Sequence, residues 1–187
     1  MPVRLLMPKR FEDPRGWFVE TYNRKRFAEL GIDTVFVQDN HSLSRPVGVL
    51  RGLHFQAPPF AQTKLVRCVR GRIWDVAVDI RTGSPTYGQW AAAELSAENG
   101  HQFFVPAGFA HGFITLEPDT EVEYKVDAFY DRDSEGGLIW NDATLALPWP
   151  APPGGPVLSD KDLLLPTLAD FTSPFAYDGR PLQALGA

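Results

Sequence analysis

The sequence predicts an all-β protein, a sandwich or barrel of short strands, on two observations. Short runs with alternating or continuous apolar character recur at close intervals: TVFVQDNHSLS, VGVLRGLHFQ, TKLVRCVRGRIWDVAVDI, QWAAAEL, HQFFVP, HGFITL and TEVEYKVDAFY. That spacing suits strands packed around one core. Between the runs, 17 prolines and 16 glycines are scattered along the chain, which favours many turns over long helices. At 187 residues and 44% hydrophobic content, the chain is expected to form a single domain, 1–187, with a core that needs no disulfide. Its one cysteine, Cys68, has no partner within the chain.

Near the start, RFEDPRGWFVETY opens with a Pro-Arg-Gly turn and continues as a strand, with Phe18 and Glu20 alternating against Trp17 and Val19. Asn23 is placed to cap the amphipathic segment RKRFAELG, and Gly31 to end it; this is the one helix expected before residue 155. In TVFVQDNHSLS, period-two alternation puts Gln38, Asn40 and Ser42 on one face, a polar row suited to lining a pocket, and Val35 and Val37 on the other. The run Val47 to Gln56 reads as a buried strand punctuated by glycine, carrying Arg51 and His54.

Pro58 and Pro59 break the chain. TKLVRCVRGRIWDVAVDI then reads as a hairpin turning at Gly71, with Lys64, Val66 and Cys68 on one face and an apolar row of Trp74, Val76, Val78 and Ile80 supplying core. TGSPTYG is a turn, the four later strands follow, and Tyr124 and Tyr130 share alternation parity. From Leu147 onward a proline-rich segment is expected to wrap the surface, with a short helix at SDKDLLL.

A formal net charge of -5 argues against a general nucleic-acid or lipid-surface binder, while leaving room for a local phosphate site. The first residues, MPVRLLMPKRF, lack the apolar run of a signal peptide, and no stretch has transmembrane length. A cytoplasmic enzyme or small-molecule binder is the expectation, with neither nucleic acid nor membrane as partner.

Two spacings carry the chemistry. Five residues separate Gly48 from His54, with Gln56 two further on; five separate Gly100 from Pro106, and Gly108 and His111 follow. This pair resembles the two motifs of the cupins, which are double-sheet jelly rolls, and the resemblance implies that His54 and His111 face one pocket. Metal-binding cupins carry His-x-His and then Glu in the first motif. Here Gln56 replaces the second His, Phe60 and Ala61 stand where the Glu falls, and Thr115 replaces the closing Asn. Two imidazoles and a weak amide are too few strong ligands for a transition metal, so a metal-free pocket is expected.

FEDPRGWFVE, GVLRGLHFQ, DVAVDIRTGSPTYG, VPAGFAHGF, EYKVDAFY, and WP followed by LSDKD together resemble the dTDP-4-dehydrorhamnose 3,5-epimerase family, from about Phe11 to about Pro166. The resemblance implies a homodimeric, cupin-like double-sheet jelly roll, with short helical segments and the proline-rich wrap. It also implies a cofactor-free isomerase acting on a dTDP-linked 4-keto-6-deoxy sugar. His54 matches the base, Asp142 the carboxylate orienting it, Tyr124 the proton donor, and Lys64 the residue near the keto oxygen. Arg51, Gln38, Asn40 and His111 match substrate or phosphate contacts. Arg15, Phe18 and Glu20 match nucleotide contacts supplied across the dimer, and Tyr130 is a further substrate-side position. The family usually has Pro after the dyad Asp, where this chain has Ala143.

The chemistry suits these residues. Epimerisation beside a ketone needs a base, a donor for the enolate oxygen and an acid on the opposite face. A carboxylate-oriented His, a Lys and a Tyr fill those roles without a cofactor. Taken alone, a His on an apolar strand is more often structural than catalytic; the motif assigns His54 to catalysis and leaves His111 between ligand contact and scaffold. Strict alternation sends Arg51 and His54 to opposite faces, a conflict that a bulge at Gly52 removes. A single-centre epimerase and a non-catalytic sugar-nucleotide binding module are the alternatives, the latter disfavoured because base, acid and lysine are all retained.

Overall fold

Alternation along the strands is satisfied in the computed structural model by two antiparallel sheets packed face to face. The structure describes residues 2–179; Met1 and 180–187 of the expected domain lie outside the described residues. In chain order the elements are β1 (Arg4–Leu6), β2 (Arg10–Asp13), β3 (Gly16–Val19), α1 (Arg24–Glu29), β4 (Gln38–Ser44), β5 (Leu50–Gln56), β6 (Lys64–Arg70), β7 (Arg72–Asp79), β8 (Trp90–Ser96), β9 (Gln102–Val105), β10 (Phe109–Thr115), β11 (Thr120–Val126) and β12 (Glu135–Gly137). A 3₁₀ turn follows at Asp162–Leu164. One sheet runs β1-β9-β6-β11-β4, the other β12-β5-β10-β7-β8, and β2-β3 form a separate hairpin. This is the double-sheet jelly roll that the motif pair implies. Among the described residues, no helix is long and apolar enough to cross a membrane.

Asn23 caps α1 as expected, its side chain accepting the Lys25 and Arg26 N–H groups, and Gly31 follows at φ +76°. The expectation at Gly71 needs correction. β6 and β7 are consecutive, yet they lie in different sheets, so the link is a corner between layers and not a hairpin. Gly71 sits at φ +76°, and a Cβ there would lie 2.4 Å from Thr120 Oγ1, so only glycine fits. Local alternation reports which face a side chain takes but not which sheet its strand joins.

That corner divides the apolar residues into layers. Val66, Cys68, Ile73, Ala77, Phe103, Val105 and Val122 pack between the sheets. The row Val76, Val78 and Ile80, with Trp74, forms a different cluster, against Leu145, Leu147, Trp149, Leu168, Phe171 and Phe175 of the C-terminal wrap. The wrap is therefore structural cover for the second sheet. Burying side chains of this size contributes about 1.5–3 kcal/mol each, enough to hold a segment with little secondary structure.

Candidate active site

The anomaly on β5 is the feature from which the site is built. β5 pairs with β10 through His54–His111 and Arg51–Phe113, so an extra residue sits on β5 between the two pairs. This is the bulge expected at Gly52. Gly52 has φ +135°, and a Cβ on it would lie 2.5 Å from Gly112 Cα and 2.9 Å from the His111 carbonyl oxygen; the Gly52–Leu53 peptide is cis. The reset register lets both Arg51 and His54 line one cavity of about 440 Å³, with Lys64, His111, Tyr124, Ser159 and Asp162 around it.

His54 is half-exposed, and its Nε2 lies 2.5 Å from Oδ1 of Asp162, whose side chain is buried. Its Nδ1 has no hydrogen-bond partner among the described residues. Burial alone pushes the Asp162 carboxyl up, but hydrogen bonds from His54, Ser159 and the Gly52 backbone, with the charge of His54, hold it below the usual carboxylate range. Asp162 is thus an ionised acceptor, suited to keeping the His54 proton on Nε2 and the Nδ1 lone pair available.

The assignment of Asp142 as the orienting carboxylate is overturned. Asp142 is buried, but its Oδ1 accepts the N–H groups of Thr144 (2.7 Å) and Leu145 (2.9 Å), and its Oδ2 accepts that of Leu168 (2.7 Å). These hydrogen bonds are all from backbone, none from His54. Asp162 was missed because it falls in SDKDLLL, read only as a short helix within the wrap; in the structure the Asp162 N–H donates to Ser159 Oγ at 3.2 Å.

Lys64 is buried, with Nζ 3.4 Å from the His54 carbonyl oxygen. Burial lowers its pKa to about 8 against the upward pull of Asp75 and Glu135, so the ammonium is still mostly charged at neutral pH. His111 lines the cavity while its Nε2 contacts Asp75 Oδ1 at 2.9 Å. Ligand contact and scaffold are both open to it. Burial pushes the Asp75 carboxyl up and the His111 imidazole down, and Asp75 Oδ2 is a buried oxygen with no hydrogen bond. Asp75 too was missed; the signal was an acid alternating with Ile73 and Ala77 on the inward face of β7.

Tyr124 projects from β11 beside this core, its hydroxyl making no hydrogen bond among the described residues, and burial raises its pKa although Arg51 pulls it down. Arg51 Nε donates to Ser44 Oγ at 3.3 Å. The row Gln38, Asn40 and Ser42 faces inward as expected. Gln38 donates to Asn40 Oδ1 at 2.9 Å and accepts the Tyr130 N–H at 3.1 Å. Gln56 donates to the Phe60 and Phe129 carbonyls and accepts the Asp131 N–H. The amide in place of a metal-ligating His therefore holds the loop that bears exposed Tyr130. Among the described residues, no three His, Cys, Asp or Glu side chains converge as a metal site.

Arg15, Phe18 and Glu20 stand apart from the cavity of their own chain. Arg15 pairs with Asp13 at 2.6 Å, Glu20 with Arg26 at 3.2 Å, and Phe18 is 68% exposed.

Comparison with known proteins identifies the family. The family described as dTDP-4-dehydrorhamnose 3,5-epimerase matches residues 2–170. The dTDP-4-dehydrorhamnose 3,5-epimerase of Sinorhizobium fredii is 52% identical over 175 residues, covering 94% of this chain and 89% of that one. The crystal structure of the Bacillus anthracis enzyme of that name, with TDP and PPi bound, is 53% identical, with TM-score 0.86 over 88% of this chain and 93% of that one. The Legionella pneumophila dTDP-6-deoxy-D-glucose-3,5-epimerase, in complex with dTDP-4-keto-L-rhamnose, is 43% identical, with TM-score 0.89 over 94% of both chains. A jelly roll with a glycine bulge and a His–Asp pair in its cavity, matched along nearly its whole length, leaves one assignment: the chain belongs to the dTDP-4-dehydrorhamnose 3,5-epimerase family.

Proposed function

We propose that the protein epimerises C3 and C5 of a dTDP-4-keto-6-deoxyhexose, converting dTDP-4-dehydro-6-deoxyglucose to dTDP-4-dehydrorhamnose without a cofactor. The observation that carries the reading is the convergence on one cavity of an Asp162-oriented His54, the buried cation Lys64 and the uncommitted hydroxyl of Tyr124. C3 and C5 both flank the C4 ketone, so one set of groups serves both. His54 Nδ1 takes the proton from the carbon and the electron pair moves into the carbonyl. Lys64 stabilises the resulting enolate oxygen by charge, and Tyr124 returns a proton to the opposite face. Each step is proton transfer, so no electron acceptor enters the balance. Arg51 and His111, at the cavity wall, are placed to bind substrate or its phosphates.

The Tyr124 role is tested by Tyr124→Phe, which keeps the ring and removes the hydroxyl. In deuterium oxide the variant is expected to exchange the substrate proton faster than it inverts the carbon, at C5 by family analogy, because His54 can return deuterium to the original face. Equal rates of exchange and inversion at both carbons would make Tyr124 a packing residue.

The reading extends to a homodimer. The β2-β3 hairpin exposes Phe11, Trp17 and Phe18, and β4 is an unprotected sheet edge, both of which a twofold partner would cover. Arg15, Phe18 and Glu20 would then serve the partner's cavity. Light scattering at micromolar concentration is expected to give a dimer mass, and a monomer would contradict it. A cytoplasmic location fits the nucleotide-sugar substrate.

A further inference from the structure

Asp162 belongs to neither sheet. It hangs on the segment after the last strand, and its place beside His54 depends on what ties that segment down. Upstream, the Leu50 N–H donates to the Val157 carbonyl at 2.9 Å and the Val157 N–H to the Gly48 carbonyl at 2.8 Å. Downstream, the Ile139 N–H donates to the Pro166 carbonyl at 2.9 Å, and the Leu168 N–H to Asp142 Oδ2 at 2.7 Å. Between these ties Leu163 and Leu164 are exposed, and within the turn only Asp162 is buried.

Two side-chain ties join these backbone bonds: the Lys161 ammonium pairs with the Glu135 carboxylate of β12 beside the turn, and Asp142 holds the segment from the downstream side. Its two oxygens accept three backbone N–H groups, two from its own loop and one from the segment that carries Asp162. A carboxylate so placed gives charge-assisted bonds roughly twice as strong as neutral ones. We infer that Asp142 is a positioning residue for the base: through the Leu168 amide it fixes the segment that presents Asp162 to His54, while touching neither His54 nor substrate. The inference rests on the reading that the His54–Asp162 pair removes the substrate proton.

Asparagine at 142 can keep the Thr144 and Leu145 bonds with its oxygen, but then turns its NH₂ toward the Leu168 N–H, donor against donor. The Leu168 tie opens, the Ile139–Pro166 bond is left alone to hold the downstream side, and the register of Asp162 with His54 loosens. A displacement on the order of 1 Å costs about 10²-fold in rate, so Asp142→Asn is expected to lower kcat by about 10- to 10²-fold, with KM nearly unchanged. The discriminating test is a double-mutant cycle with Asp162→Asn. If Asp142 acts only through Asp162, the double variant should be as slow as Asp162→Asn alone, within about twofold. Losses that multiply would overturn the inference, since a general structural role acts whatever residue stands at 162.

Leu168→Pro supplies a second route that leaves the Asp142 carboxylate intact and removes the donated N–H, together with the leucine packing and the freedom of φ. Compared with Leu168→Ala, which also loses the leucine packing but keeps the N–H, it should reproduce the kcat loss; equal rates for the two would also overturn the inference. A readout independent of turnover is the far-downfield proton resonance of the His54 Nε2–H bond to Asp162. It should weaken or vanish in Asp142→Asn, and its persistence unchanged would contradict the inference. An Asp162→Asn variant as fast as the parent would instead overturn the underlying reading of the base.

Discussion

Replacing Asp162 by Asn is expected to lower kcat by about 10³- to 10⁴-fold with little change in KM, the size seen when a His-orienting carboxylate is neutralised in other enzymes. The cause is tautomeric. Asp162 now accepts from His54 Nε2 and also from Ser159 and the Gly52 backbone. An Asn at this position keeps its oxygen on the remaining donors and offers its NH₂ to Nε2. The ring proton then moves to Nδ1, the nitrogen that must be a bare lone pair to act as base. The imidazolium formed after proton abstraction also loses its counter-charge. Asp162 touches no reacting atom, so substrate affinity should hold. A drop of less than about tenfold would mean that His54 needs no orienting partner.

Lys64→Met is expected to lower kcat by about 10²- to 10³-fold, the usual cost of removing one preorganised group at a developing oxyanion. Methionine keeps the buried volume and removes the charge. The pH profile makes the test specific. Burial lowers the Lys64 pKa to about 8, so the ammonium is intact below that pH and is lost as pH rises through it. The parent enzyme should therefore show an alkaline fall in kcat/KM near pH 8. Tyr124 is pushed upward by burial, so its ionisation lies well above this limb. The Met variant should be slow at every pH and lack the limb. A variant that keeps the limb would assign it to another group.

What the sequence disclosed, and what it hid, divides along the range of the interactions. Asn23, Gly31 and the row Gln38, Asn40 and Ser42 were legible because capping and period-two alternation act within a few residues. The Gly52 bulge was legible as a conflict: Arg51 and His54 were both wanted at one site, and only a glycine stood between them. Gly71 misled because a tight glycine link serves equally for a hairpin and for a corner between sheets, and only pairing partners far along the chain decide. The dyad carboxylate was hidden more deeply. Asp142 lies in a loop and Asp162 in a single 3₁₀ turn, neither with a periodicity to give a facing, and the choice between them is made by the chain folding Asp162 onto β5 across a sequence separation of 108. The motif LSDKD was legible, but only as part of a short helix in the wrap, which gives its acid no partner on β5.

The account's central claim is that His54 removes protons from the carbons flanking a ketone. Proton NMR of dTDP-4-keto-6-deoxyglucose in deuterium oxide with EDTA present tests it most directly, because exchange reports proton abstraction whether or not inversion follows. The parent protein should replace the C3 and C5 protons with deuterium and form the rhamno product, and His54→Ala should lose exchange at both carbons. Exchange at one carbon only would make the enzyme a single-centre epimerase; exchange that persists undiminished in His54→Ala, or that disappears from the parent when EDTA is added, would contradict the account.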